Sequence, residues 1–457
     1  MRNTTKSCII AISVWLVSTF ILTACTNAKE NAPAGSDNEV NPGASTSSAK
    51  EPGETAEELT PSPAEEEDDA AAGDNTEDIS PAPNKETEET ELSVVYDRDS
   101  ALKDVYSDYF LMGAAINGSS VSTAAINHEG MAEILKKHFN STTLSNLMKP
   151  SYLLDQAGSK ENSDGMPALN FGSIDPSLQF CLDNGIKMRG HTLVWHNQTP
   201  EWFFHEDYDV SKELADAVTM ELRLESYIKQ VLEYCQENYP GVIYCWDVVN
   251  EAISDDGRWR MTDSYWYTIM KETYIEKAFY YARKYAGEEV KLFYNDYNVF
   301  VSAKRLAIYT MAHDLKQKGL IDGLGLQPTV GLITPELDSD VSSSSFKKTL
   351  ERFAELGLEI QITELSFEID GKVNQITPEN LQKQADRYYE MMNLLLKSDS
   401  DNGGPCNITS VTVFGICDDY PLYTNHQQNL YLWDKEVNPK PCFYSYLQAG
   451  LDWQAKK

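Results

Sequence analysis

The chain is 457 residues long, 41% hydrophobic, and carries 71 acidic against 38 basic side chains, a formal net charge of −33. That length accommodates one large domain or two ordinary ones, and the charge comes without a basic face of the kind that contacts nucleic acid. Seven histidines are scattered with no His-Glu-x-x-His spacing and the cysteines lack zinc-site spacing, so neither a catalytic metal nor another cofactor is expected.

Arg2 and Lys6 precede an apolar stretch over 8–22 that closes on Leu22-Thr23-Ala24-Cys25. A positive start, a short apolar centre and small residues at the end form a secretory signal, too short and too poorly flanked for a membrane span. The closing tetrapeptide resembles a bacterial lipoprotein signal. That resemblance implies removal of 1–24, lipidation of Cys25, and an exported protein held to the membrane at the bacterial cell surface. An ordinary signal with a chance cysteine is the alternative, and it too exports the protein.

Residues 25–92 read as a tether. Between 26 and 92 there are 19 acidic and 3 basic residues, a net of −16, with almost no aromatics. Such a segment buries too little apolar surface to offset its ordering entropy, and as a flexible chain it spans on the order of 45–50 Å.

From 93 to 457 the composition is globular. Apolar runs at 109–116, 139–144, 186–195, 242–250, 290–294, 324–327, 358–363 and 408–416 read as strands. Between them, 221–238, 265–285, 304–318, 346–356 and 378–397 show apolar residues at helical spacing. Eight strands alternating with helices over this length predict a (β/α)₈ barrel in one domain. The competing open sheet lacks its Gly-rich phosphate loop. Of the eight cysteines, Cys8 leaves with the signal and six lie in the domain. Export permits disulfides, but buried free thiols are expected for several.

Two strands end in a glutamate: 242–250 leads into Asn250-Glu251, and 358–363 leads into Glu364. On predicted strands four and seven of a barrel, both reach the same rim. Alone, Glu251 reads equally well as an edge-of-core residue held by an arginine. Paired with Glu364, it supplies what glycoside hydrolysis requires, one carboxyl group protonated and the other ionised.

The motifs Arg189-Gly190-His191-Thr192-Leu193-Val194-Trp195-His196, Trp246-Asp247-Val248-Val249-Asn250-Glu251-Ala252, Asn295-Asp296-Tyr297-Asn298 and Ile362-Thr363-Glu364-Leu365 occur in that order. Together they resemble family-10 glycoside hydrolases, mostly endo-1,4-β-xylanases, over roughly 100–450. The resemblance implies a retaining double displacement on xylan or xylo-oligosaccharide, with Glu251 as general acid/base and Glu364 as nucleophile. It implies that Asn250 meets the 2-hydroxyl of the attacked sugar, and that His191, Trp195 and Gln327 line the subsite before the cleaved bond. Asn295 and Tyr297, placed after strand five, would orient a carboxylate or a substrate hydroxyl. Asn146 and Lys149 would hold the sugar one place further on. Asp247 reads as a buried charge paired with Arg189, while His196 stays open between structure and function.

The chain also departs from the family pattern. Ser145 stands where a Glu is usual, Thr329 where a His is usual, and Phe414 and Leu422 where tryptophans are usual. Phe414 can still stack on a sugar, whereas Leu422 can only pack. The expected result is an altered affinity or substrate range with the chemistry kept, in a monomer. The alternatives are a barrel glycosidase acting on another β-glycan, and a non-catalytic surface protein that captures glycans.

Overall fold

The computed structural model describes residues 99–116, 118–369, 376–418 and 429–456. The predicted signal over 1–24, the tether over 25–92, the lipidation site Cys25 and Leu422 lie outside the described residues.

Eight strands form the centre: β1 Leu111–Ile116, β2 Ser141–Leu144, β3 Lys187–Trp195, β4 Ile243–Asn250, β5 Lys291–Tyr297, β6 Gly323–Gln327, β7 Glu359–Glu368 and β8 Asn407–Val413. All neighbouring pairs are parallel, and β8 pairs with both β7 and β1, so the sheet closes into a barrel. Each strand is followed by a helix: α1 Glu129–His138, α2 Asp175–Asn184, α3 Ala217–Asn238, α4 Thr273–Tyr285, α5 Ser302–Gln317, α6 Phe346–Ala354, α7 Pro378–Ser398 and α8 Pro441–Gln454. This is the predicted (β/α)₈ barrel, and all eight predicted strands are present.

Local signals account for the helices. In α6 the buried residues Phe346, Thr349, Leu350 and Phe353 fall on one face at helical spacing, and each fully buried large apolar side chain contributes about 1.5–3 kcal/mol. Asp216 caps α3 by accepting from Thr219 N at 2.8 Å, and α7 begins with Thr377 as cap and Pro378 in its first turn. One predicted helix is corrected. The stretch over 265–285 is two helices, Tyr265–Met270 and α4, broken at Lys271, whose φ is 54°.

Two strands run further than predicted. β5 includes Asn295, Asp296 and Tyr297, which therefore lie on the strand and not after it, and β7 continues past Glu364 to Glu368. Its extension pairs with Thr329–Gly331. Cys181, Cys235, Cys245, Cys406 and Cys442 are buried free thiols, and Cys417 is buried against Met131, Sγ to Sδ 3.8 Å.

Candidate active site

The floor of the site is a charged group inside the barrel. Arg189 on β3 grips Asp247 on β4 through two hydrogen bonds of 2.9 and 2.6 Å and donates from Nε to Gln361 on β7 at 2.6 Å. His191 Nδ1 lies 2.9 Å from the second oxygen of Asp247. All of these side chains are buried. Burial alone would raise the Asp247 carboxyl, but the Arg189 charge and the His191 hydrogen bond more than offset it and hold the group low. Burial lowers the His191 imidazole despite Asp247. The neutral ring therefore keeps its Nδ1 proton toward Asp247 and leaves Nε2 as an acceptor. Gly190 permits this packing, because a Cβ there would meet the Trp246 ring at 2.2 Å.

Above the floor lies a network of amides. Asn250 Oδ1 accepts from Asn295 Nδ2 and Gln327 Nε2, both at 3.0 Å. Asn295 Oδ1 accepts from Thr363 Oγ1 at 2.7 Å, and its Nδ2 also lies 3.4 Å from Glu364 Oε1. The Asn295 carbonyl accepts from Glu251 N at 2.9 Å. One residue of β5 thus touches both predicted catalytic glutamates. Ladder irregularities fall between His191 and Val194, Asp247 and Val249, and Ile362 and Leu365. Such irregularities re-aim side chains where strands reach a rim, and here they flank Trp195, Asn250 and Glu364.

At the rim, Trp195 Nε1 donates to Glu251 Oε2 at 2.9 Å. Lys149 is buried with its Nζ 4.6 Å from the Trp195 ring centroid, and it donates to Gln198 Oε1 at 2.8 Å and to Asn146 Oδ1 at 3.3 Å. Phe414, just past β8, meets the His191 ring edge-on at 6.4 Å. The Tyr297 hydroxyl accepts from Arg260 Nη2 at 2.9 Å, and among the described residues it has no hydrogen bond to a carboxylate. His196 is partly buried, its Nδ1 has no partner, and burial with the Arg260 and Lys304 charges pushes its imidazole down to about 3.

Burial, and next the Glu251 charge, push the Glu364 carboxyl up to about 8, against the opposing effects of Lys149 and Asn295. Burial pushes Lys149 down to about 8, with both glutamates opposing. Burial beside a second carboxylate thus keeps a proton on Glu364 into the neutral range. Among the described residues no group of three or more His, Cys, Asp or Glu side chains is placed to hold a metal ion.

The departures have structural counterparts. Ser145 is buried and its hydroxyl donates to the Ile116 carbonyl at 3.2 Å. Thr329 Oγ1 donates to the Glu364 carbonyl at 3.3 Å and lies 3.3 Å from Ser366 Oγ. It meets the backbone of Glu364, not its carboxylate. Gln198, Arg260 and Thr363 join the site without having been singled out. Of these only Thr363 had a visible signal, as the strand residue beside Glu364.

An eight-stranded parallel barrel with one carboxylate just past strand four and another on strand seven defines the class of two-carboxylate barrel glycosidases. Residues 101–449 match the model of Glycosyl hydrolase family 10, and the chain belongs to that family. It is 73% identical over 308 residues to a "Putative endo-1,4-beta-xylanase" of Caldicellulosiruptor saccharolyticus, covering 67% of this chain and 98% of the relative. It is 39% identical to endo-1,4-beta-xylanase B of Butyrivibrio fibrisolvens, covering 77% of this chain but only 53% of that longer protein. Among solved structures, the CBM22-1 and GH10 modules of Clostridium thermocellum endo-1,4-beta-D-xylanase 10B, complexed with xylohexaose, superpose with a TM-score of 0.67 at 32% identity, covering 76% of this chain and 67% of that one. An endo-1,4-beta-xylanase from Caldicellulosiruptor owensensis gives 0.63 at 34% identity, covering 76% and 99%.

Proposed function

We propose that this chain is a retaining endo-1,4-β-xylanase. The observation that carries the reading is the bridge through Asn295, which holds the backbone of Glu251 and contacts the carboxylate of Glu364 from one strand. The family relatives, named as endo-xylanases and in one case bound to xylohexaose, support xylan as the substrate.

In the first step Glu251, protonated, donates its proton to the glycosidic oxygen as the bond to the anomeric carbon breaks. Glu364, ionised, attacks that carbon and forms a glycosyl ester. In the second step Glu251, now a carboxylate, takes a proton from water; the water oxygen attacks the same carbon and releases Glu364. The reactive form requires Glu364 ionised; burial and next the Glu251 charge oppose that charge, while Lys149 and the Asn295 amide support it. Asn250 spends its oxygen on Asn295 and Gln327, which leaves its amide nitrogen for the sugar 2-hydroxyl. His191 offers Nε2, and Trp195 lines the same subsite while steering Glu251. Asn146, Lys149 and Gln198 form the polar wall one sugar further on, and Phe414 supplies an apolar face.

Glu364→Ala is expected to abolish release of reducing sugar from xylan while xylan binding by affinity electrophoresis persists; undiminished hydrolysis would sink the reading. The amino terminus belongs to the same proposal: 1–24 as a lipoprotein signal, 25–92 as an acidic tether, Cys25 as the lipid anchor, and 93–457 as the catalytic barrel of a monomer. Cys25→Ser should prevent incorporation of labelled fatty acid and release the enzyme to the medium, whereas unchanged labelling would contradict the anchor.

A further inference from the structure

The backbone of Glu251 has an unusual conformation. Its φ is 56°, the left-handed region that side chains other than Gly, Asn and Asp rarely adopt. Such strain persists only where the surroundings over-determine it. The residues that follow, Ala252 and Ile253, are buried and have left the β4 ladder, so their N–H groups need partners from elsewhere.

Those partners form one chain of polar groups. Tyr294 Oη accepts from Ala252 N at 2.9 Å and from Ile253 N at 3.2 Å, and donates its own proton to Asp296 Oδ2 at 2.5 Å. A hydroxyl with one proton and two lone pairs is thereby fully used. Asp296 Oδ1 lies 2.9 Å from Lys304 Nζ, and both side chains are almost fully buried. Lys304 Nζ also sits 3.5 Å from the centre of the Tyr297 ring. The Tyr297 hydroxyl accepts from Arg260, whose Nε donates to the Glu251 carbonyl at 2.8 Å. Arg260 N donates to the Ala252 carbonyl, also at 2.8 Å. With the Asn295 carbonyl on Glu251 N, every backbone polar group of residues 251 and 252 is held.

We propose that Arg260, together with the buried Tyr294–Asp296–Lys304 chain, is a positioning device that fixes Glu251 in its left-handed conformation and so aims its carboxyl group at the leaving oxygen. The proposal rests on the acid/base reading of Glu251. A buried Asp–Lys pair is a costly way to stabilise a loop, because well-packed apolar residues often serve as well. What ionic and hydroxyl partners add is direction, and it converges on the backbone of Glu251 and the two residues after it. None of these four side chains has a described hydrogen bond to the carboxylate of Glu251; the Arg260 and Asp296 charges reach it through space, and the uncharged Tyr294 acts through the main chain alone.

The test separates proton donation from binding and folding. The enzyme, Arg260→Met, Arg260→Lys, Tyr294→Phe and Glu251→Ala are assayed by kcat/KM on xylan, whose leaving group needs a proton, and on 2,4-dinitrophenyl β-xylobioside, whose leaving group does not. The ratio of the two is independent of how much of each preparation is folded. Removing general acid assistance costs about 10²–10⁴-fold. Arg260→Met and Tyr294→Phe are expected to lower that ratio by at least about 10-fold, with Arg260→Lys recovering part of it. Equal losses on both substrates in these variants, with Glu251→Ala still selective, would overturn the positioning role alone. Equal losses in Glu251→Ala as well would overturn the acid/base reading and the positioning role with it.

Discussion

The two sides of the groove are built differently. Around β3, β4 and β5 the polar groups form closed networks: Arg189, Asp247, His191 and Gln361 below, Asn250, Asn295 and Gln327 above, and Tyr294, Asp296, Lys304 and Arg260 behind Glu251. Around the Glu364 carboxylate itself, the described contacts are of another kind. Glu364 receives one long hydrogen bond, Thr329 meets only its carbonyl, and Phe414 offers a ring face. The polar groups around Glu251 therefore fix geometry, while the surroundings of Glu364 act on its charge. The three described departures from the family pattern, Ser145, Thr329 and Phe414, fall outside the closed networks.

Breaking a closed network should have the largest effect. Asp247→Asn leaves Arg189 buried with weakened compensation, and losing one partner of a buried pair costs about 3–5 kcal/mol. Urea unfolding should show that loss together with a fall in activity, because His191 also loses its anchor. A change below about 1 kcal/mol would mean that the floor is not the rigid half.

The nucleophile side should respond to pH instead. The Glu364 carboxyl binds its proton more tightly in the folded chain, at about 8 against an ordinary 4.5. Its contribution to stability is thus present below about pH 4.5 and lost as pH rises toward 8. Glu364→Gln removes that loss. The variant should melt at a higher temperature than the parent at pH 9, with the difference vanishing near pH 4. A difference independent of pH would contradict the shift.

The smallest effect is expected at Phe414. Phe414→Trp enlarges the apolar face, and an added aromatic contact is worth about 0.5–1.5 kcal/mol. The KM for xylo-oligosaccharides should fall several-fold with kcat nearly constant. An unchanged KM would remove Phe414 from the sugar-binding surface.

The same contrast governs what the sequence made legible. Parallel strands buried on both faces read as apolar runs, so all eight strands and both strand-end glutamates stood out. Asp247 beside Arg189 was also legible, because a charge inside an apolar strand needs a partner. The rest was hidden for physical reasons. Asn295 to Tyr297 and the end of β7 are polar residues inside a ladder, and polarity reads as loop. Lys271 breaks a helix although the apolar spacing continues across it. Gln198, at φ 47°, and Arg260 act from loops, where no periodicity marks a residue. The left-handed turn at Glu251 follows from neighbours 43 and 45 positions away, Tyr294 and Asp296, which no local pattern announces.

Glu364 is the proposed nucleophile at the anomeric carbon. The most direct measurement incubates the enzyme with 2,4-dinitrophenyl 2-deoxy-2-fluoro-β-xylobioside, which slows release of the glycosyl ester, and locates the label by peptide mass spectrometry. Attack by Glu364 predicts one fluoro-xylobiosyl group per chain, on the peptide containing Glu364 and absent in Glu364→Ala. A label on any other residue, or turnover with no covalent intermediate and inversion at the anomeric carbon, would contradict it.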